Sequence, residues 1–569
     1  MVSPRSANRH FFPARHEQRL IIVLLFAAST TLFFFLNTTL FQHGFASDKQ
    51  LYLGEKSLLV HKGIIERLEN TGFTNNPLAL MLTALLDNPF LTSALVGSAI
   101  LTLLFVSLYS YRQKRILSWP LFILLFCYLV FSPLTLFMLT QKISTTIIVY
   151  LILLIFHHLF SYDRSGISYN LFMFGILSAC VFLTQFQTIF IFPLFSFALV
   201  AQHMGSQPLK SAAVVLAGLF PVFFMLAGSC YLNWLFLEDP FHFFTHGITL
   251  DVPLSAQTPT TVPFDLQMAL NMSVNQLRHH LFLLAPYILV GITLLIQYRT
   301  TNCVSCVIFL SPLFLLFSEL FCNVTRIPHA FFILFPATAV AIYIHCQQQL
   351  NRPLFRHLFT MCVAISLLAS FILPFQHTGA EEHIFASLLL DGKRHGELTT
   401  YQRLLDAIPG KGRILMDDTV NYPLVFLSQD PKRFYLPYQY EFNMVLTAPQ
   451  RFVQYLVVSS QPARDQVLGR YPLAHLGYVP GFSLVGRFGE LSLYEVIQPP
   501  PIMPDASTSF RKRTHTIQAG EKGHISGEVL PEPATVQIRE MRINCMSLFA
   551  QSGWRVIHLM RRTGDPASP

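Results

Sequence analysis

Charge is scarce in this chain: Asp, Glu, Lys and Arg make up 12% of its 569 residues, whereas 52% are hydrophobic. With a mean hydropathy of +0.48, that scarcity excludes an ordinary soluble multidomain protein and reads as a polytopic membrane protein. Cysteine is missing from the whole hydrophilic stretch between about 376 and 540, so no disulfide framework can be argued there. Cys303 and Cys306 form a CxxC with no second Cys/His pair nearby, and two small buried residues in a span are favoured over a zinc site. No Gly-rich phosphate loop precedes Asp417-Asp418, where a helix-capping or turn role is favoured over ligand contact.

The apolar runs hold almost no central charges and show no repeat between halves, two absences that weigh against a transporter. What charge there is totals +9. Many of the Lys and Arg fall in short loops between apolar runs, where they set membrane topology and do not point to nucleic acid.

A helix crosses a bilayer with about 20 apolar residues because every backbone polar group has to be satisfied internally. By that measure spans are expected near 19–37, 92–111, 118–138, 143–160, 167–184, 186–203, 211–235, 280–298, 303–321, 329–346 and 357–375. Pro133, Pro193 and Pro221 read as tolerated kinks within them. Arg5, Arg9, Arg15 and Arg19, then "YRQKR" (111–115), "SYDRSG" (161–166), Lys210, Arg299 and "NRPLFRH" (351–357) fall on one side. That side is cytoplasmic. The expected architecture is therefore an all-α membrane bundle of about eleven spans over 19–375. A cytoplasmic segment (1–18) precedes it and an extracytoplasmic α/β domain (376–496) follows.

In that domain "ELTTYQRLLDAIPGKG" reads as helix and turn and "RILMDD" as strand. "YPLVFLS" and "RFVQYLVVSS" come next, and "FSLVGRFGELSLYEV" closes as a hairpin. A Pro-rich linker and basic tail (497–569) complete the chain.

Two external connections, 38–91 and 236–279, are too long to be turns, and long connections usually carry function. In the first, Asp48, Tyr52, Glu55 and Leu59 fall on one face at helical spacing. That face suits a short helix lying along the membrane surface with its acids turned toward the bundle. It equally suits an ordinary solvated amphipathic helix. The apolar run in "GFTNNPLALMLTALL" (72–86) is too short to span, and reads as a second interfacial helix or the outer turn of span two. In the second connection Glu238, Asp239 and His242 are packed among aromatics in "YLNWLFLEDPFHFF" (231–244). A headgroup belt explains the aromatics but not the adjacent acids.

Four features together resemble the polytopic GT-C glycosyltransferases, which include protein mannosyltransferases, aminoarabinose transferases and rhizobial-type lipopolysaccharide transferases. They are "SDKQLYLGEKSLL" after the first span, "YLNWLFLEDPFHFF", the "CNVTRIPHAFFILFPATAVA" stretch (322–341) and an external domain after the last span. The resemblance implies a sugar donor carried on polyprenyl phosphate, and a glycan, lipid or protein acceptor at the outer face of a membrane such as the bacterial inner membrane. It makes Asp48 the catalytic base, with Glu55 as a second acid and Tyr52 on the same face. It places Lys142, Glu238, Asp239, His242, Arg326 and His329 around the donor phosphate or a metal. Many members have Asp-Glu where this chain has Asp48-Lys49, which leaves a divalent metal requirement open.

The chemistry fits such a site, since breaking a glycosyl phosphate needs a base for the incoming hydroxyl and positive charge for the leaving phosphate. Lys142 and Arg326 are equally placed to be snorkelling or interfacial anchors, as is His329. A transporter or flippase of lipid-linked saccharide, and a non-catalytic subunit of a polysaccharide assembly machine, stay open as alternatives.

Overall fold

The computed structural model describes residues 15–63, 77–202, 208–241, 266–296, 303–321, 328–346, 353–376, 381–392, 397–410, 412–439, 441–460 and 465–497. The N-terminal segment before residue 15 and the tail from 498 onward, both assigned from sequence, lie outside the described residues.

Helix α1 (Arg15–Gln42) leads into α2 (Asp48–Lys62), α3 (Pro77–Leu86) and α4 (Pro89–Gln113). Then come α5 (Trp119–Phe131), α6 (Pro133–Gln141), α7 (Ile143–Ser165), α8 (Ser168–Thr184), α9 (Phe192–Gln202) and α10 (Pro208–Leu237). The bundle is completed by α11 (Leu266–His279), α12 (Ala285–Ile296), α13 (Cys303–Phe321), α14 (Leu334–His345) and α15 (Pro353–Ile372).

Among the described residues five helices are long and apolar enough to cross a membrane: Arg19–Gln42, Pro89–Gln113, Ile143–Ser165, Leu209–Leu235 and Pro353–Phe375. The pair α5 and α6, bent by 52°, passes the same test taken together, as a broken span or a re-entrant loop. Among the described residues, length and composition thus support five or six of the eleven spans expected from hydropathy. Ser168–Thr184, Phe186–Ala201, Ala285–Ile296, Cys303–Ser318 and His329–His345 are apolar but short. Backbone breaks explain part of the shortening. Gln185 adopts an extended conformation (φ −157°, ψ 112°) and ends α8 before a 3-10 turn at Phe186–Ile191.

Pro133 likewise does more than kink a continuous span. The residue before a proline avoids the helical region, and Ser132 sits at φ −63°, ψ 122°, capping α6 by accepting from the Thr135 amide. α3 is a helix of its own, since Asn88 starts α4 by accepting from the Phe90 and Leu91 amides.

Beyond the bundle lie α16 (Glu381–Asp391), α17 (Glu397–Asp406) and α18 (Asp418–Ser428), with a five-stranded sheet in the order β2-β1-β3-β5-β4. Strands β1 (Ile414–Leu415), β2 (Phe434–Tyr435) and β3 (Tyr455–Ser459) run parallel, and β4 (Phe482–Phe488) and β5 (Leu491–Val496) form the expected antiparallel hairpin. "YPLVFLS" lies inside α18.

Helix α2 is not the membrane-surface helix that its spacing suggests. It is clasped between the bundle and this α/β part, and its residues from Lys49 to Leu59 are all buried. Leu58 and Leu59 join the sheet-side core with Leu404, Ile414 and Leu424. Leu51, Tyr52 and Phe90 pack with Leu398, Tyr422 and Phe426. Gly54 makes that fit attainable, because a Cβ there would stand 2.6 Å from the Phe426 ring and 2.9 Å from Pro89. The face bearing Asp48 and Glu55 is turned toward α18 and α16, and only in part toward the bundle.

Candidate functional site at the seam of bundle and sheet domain

The end of α6 and the start of α2 solve each other's problem. A helix C-terminus leaves carbonyls without partners, and an N-terminus leaves amides. Ser47 caps α2 by accepting from the Gln50 amide (3.3 Å), while its own hydroxyl donates to the Gln141 carbonyl at 2.8 Å. The Ser47 amide donates to Gln141 Oε1 (3.1 Å), and Gln50 Nε2 donates to the Thr140 carbonyl (2.7 Å). Gln141 Nε2 in turn donates to Asn37 Oδ1 at 2.9 Å, tying in α1.

Asp48 is thereby fixed beside Lys142, the single residue between α6 and α7. Lys142 Nζ lies 2.8 Å from Glu381 Oε2, and the other oxygen of Glu381 accepts from the Asp48 amide at 3.2 Å. The Asp48 carboxylate is half-buried and bonded to the Tyr422 hydroxyl; burial first, and Asp48 second, push the Tyr422 phenol well above its usual range. Asp48 lines a cavity of about 20 Å³ closed by Leu398, Tyr401 and Pro423. That is room for about one water molecule.

About two helical turns along α2, the side chains of Glu55 and Lys56 are fully enclosed with Asp418. Lys56 Nζ lies 2.5 Å from Asp418 Oδ2 and 3.1 Å from Glu55 Oε2, over the rings of Tyr52 (5.2 Å) and Tyr438 (5.4 Å). Burial alone would push the Lys56 ammonium down, but Asp418 and Glu55 together outweigh it and hold it above the usual lysine range. Burial pushes Glu55 well up; Lys56 opposes this, while Asp418, charged and hydrogen-bonded to it, pushes the same way. The ammonium lies closer to Asp418 than to Glu55, so Lys56–Asp418 is the tighter of the two pairs. Tyr52 meets Tyr422 edge-on at 5.5 Å, and its phenol is raised by burial.

Asp417 has the capping role expected of it. Its Oδ1 accepts from the Thr419 amide (2.9 Å) and hydroxyl (2.7 Å), and its Oδ2 from the Gln466 amide (2.8 Å). Burial, and after it the neighbouring Asp418, push its carboxyl up from 3.8 to about 6 despite these bonds. A carboxyl raised on folding binds its proton more tightly in the fold, so its stabilising effect is present at low pH and lost as pH rises from about 4 to about 6. The thermal midpoint of the intact protein in detergent is expected to fall across that window, by the equivalent of up to about 3 kcal/mol from this group. Asp417→Asn should flatten the slope while lowering the midpoint at every pH. An unchanged slope in the variant would assign the pH dependence elsewhere.

Four of the residues singled out from sequence are therefore gathered on or beside α2: Asp48, Tyr52, Glu55 and Lys142. Glu238 and Asp239 instead end α10. Glu238 is exposed at φ 57°, its amide donating to the Trp234 carbonyl (3.1 Å), and Asp239 accepts from the Phe241 amide (3.1 Å). His329 starts the 3-10 turn that packs against α6, buried, with its Nδ1 2.7 Å from His280 Nε2. His242 and Arg326 lie outside the described residues.

Sequence reasoning passed over Lys56, Glu381, Tyr422 and Gln141. An acidic pair, Glu381-Glu382, directly after the last apolar run was a usable signal for one of them. Among the described residues no group of three or more His, Cys, Asp or Glu side chains is placed to hold a metal ion.

What the seam offers chemically is a half-buried carboxylate on a helix N-terminus, a lysine one residue beyond α6, and an acid that shares that lysine. Asp48 stands in the first turn of α2, at the positive end of the helix dipole. No protein-family model matches the chain, and a search of curated proteins returns no match.

Proposed function

We propose that the protein is a membrane glycosyltransferase that moves a sugar from a polyprenyl-phosphate carrier to an envelope glycan, lipid or protein acceptor on the outer face. The observation that supports this reading best is the meeting of three features at α6. Asp48 is pinned to its last turn, Lys142 follows its last residue, and an apolar cavity of about 530 Å³ between α4, α5, α7 and α14 reaches Thr135 and Met138. Met138 is one turn from Lys142, whose amide donates to its carbonyl at 3.2 Å. A polyprenyl tail would occupy the apolar space and bring its phosphate to Lys142. Asp48 would take the proton of the acceptor hydroxyl as the bond from the sugar anomeric carbon to the phosphate oxygen breaks.

In this arrangement Leu398, Tyr401 and Pro423 cover Asp48, so α17 and α18 have to move aside to admit a sugar. Glu381 would release part of its hold on Lys142 as the donor phosphate arrives. The role of Glu55 shifts under this reading. Enclosed, it fixes the sheet domain to α2 and is not a second base.

Lys142→Gln is expected to raise the KM for a labelled polyprenyl-phosphate sugar about tenfold and to lower kcat by a further ten- to hundredfold, as expected for losing one charged partner of a developing phosphate. Transfer assays on membranes carrying the variant measure both. Unchanged KM and kcat would leave Lys142 as an anchor for Glu381 alone. The closed 20 Å³ cavity at Asp48 favours one alternative, a non-catalytic subunit of a polysaccharide assembly machine, in which the covered acid is only structural.

A further inference from the structure

At the other end of α4 the structure forms a concave basic site that glycosyl transfer does not use. Phe90, near the start of α4, accepts from Asn37 Nδ2 beside the candidate site, and Arg112 lies 22 residues further along the helix. At 1.5 Å per residue that is about 33 Å away, the thickness of a bilayer core. There Arg112, Arg115, Arg356, Trp119, Ser118 and Leu117 line a cavity of about 490 Å³. Among the described residues no acidic side chain lines it. One helix ends on it and two begin beside it: α4 with Arg112 in its last turn, α5 with Trp119 as its first residue, and α15 with Arg356 in its first turn.

The guanidinium of Arg112 is held in place rather than left to solvent. It rests 4.5 Å over the Trp119 ring, and its Nη1 donates to the Leu117 carbonyl at 3.3 Å. Its Nε is buried with no hydrogen-bond partner among the described residues. The turn after α4 is the second observation. The Ile116 amide reaches the Tyr111 carbonyl (3.0 Å) and the Arg115 amide the Arg112 carbonyl (3.0 Å), closing the helix with Arg115 at φ 59°. Glycine is the ordinary residue for a left-handed closing position of this kind. An arginine held there is disfavoured locally, and strain of this kind collects at binding sites. The start of α5 adds its own amides, since the Ser118 side chain makes no capping bond to them, and a helix N-terminus favours an anion.

We propose that this cavity binds the phosphate of an anionic phospholipid in the leaflet opposite Asp48, with Arg112, Arg115 and Arg356 around the phosphate and Trp119 at headgroup level. Clusters of basic side chains between span ends bind such headgroups, at roughly fivefold in affinity per cation. The site stands whether or not the protein transfers sugar.

Native mass spectrometry of the full-length protein released from vesicles of equal phosphatidylglycerol and phosphatidylcholine tests it. Wild type is expected to retain phosphatidylglycerol preferentially. Arg115→Gly should cut that preference about fivefold without harming the fold, because glycine takes up φ 59° freely and the thermal midpoint should hold or rise. Arg112→Gln with Arg356→Gln should bring the two lipids close to parity. Equal phosphatidylglycerol retention by wild type and by both variants overturns the site. If soluble glycerol phosphate binds with the same arginine dependence and displaces the lipid, the phosphate site stands but its lipid source is overturned. Failure of glycerol phosphate to compete supports the lipid source.

Discussion

Asp48→Asn is expected to reduce glycosyl transfer from a polyprenyl-phosphate donor by at least two to four orders of magnitude, about the contribution of a positioned general base, with the protein expressed and folded as wild type. Asparagine keeps the size of the side chain and still accepts from the Tyr422 hydroxyl, but it cannot take a proton from an acceptor hydroxyl. The bonds made by Ser47, Gln50 and the Asp48 amide are left in place by the substitution. Donor binding should change little, which separates this variant from Lys142→Gln, where KM rises. Initial rates with labelled donor, alongside the thermal midpoint of each protein, make the comparison. Full activity in Asp48→Asn would remove Asp48 from the mechanism.

Lys56→Met should have the largest effect on stability, about 3–5 kcal/mol. That is the usual cost of removing one partner from a buried ion pair, because the other charge stays enclosed. Here the carboxylate left behind is Asp418, with no exposure and a second buried acid, Glu55, in the same cluster. The loss should be local at first. α18 lifts from α2, the hydrophobic contacts of Tyr52 and Leu51 with Tyr422 and Phe426 open, and α17 becomes accessible to protease. Asp418→Asn in the Lys56→Met background should recover part of the stability, since it removes the uncompensated charge. Chemical denaturation followed by tryptophan fluorescence, with limited proteolysis in parallel, would show it. A Lys56→Met protein as stable and as protease-resistant as wild type would mean that the ion pair does not hold the seam.

The helix at the heart of the site was legible because its signals are local. Asp48, Tyr52, Glu55 and Leu59 follow the helical period, and Ser47 precedes them as a cap. Its surroundings were not legible, because its partners are distant in the chain. Lys56 meets Asp418 across 362 positions, and the Asp48 amide meets Glu381 across 333. One sequence carries no signal over such separations. Amphipathic spacing therefore pointed to a membrane surface when the polar face was covered by protein.

The sheet hairpin was legible from two apolar-rich runs joined by a Gly-containing turn, whereas β2 is only two residues long. Helix length was less legible for a related reason. Hydropathy sees apolar composition, but Ser132-Pro133 and Gln185 break the backbone inside apolar runs, and helix length is decided by such breaks.

Sugar transfer by the purified protein, reconstituted in vesicles with a labelled polyprenyl-phosphate sugar and envelope acceptors, tests the assignment of Asp48 most directly. Label leaving the lipid for an acceptor in wild type, and staying on the lipid in Asp48→Asn, is the expected result. Label that remains on the polyprenyl phosphate with folded wild-type protein and every acceptor fraction, or that moves equally well without the Asp48 carboxylate, would contradict it.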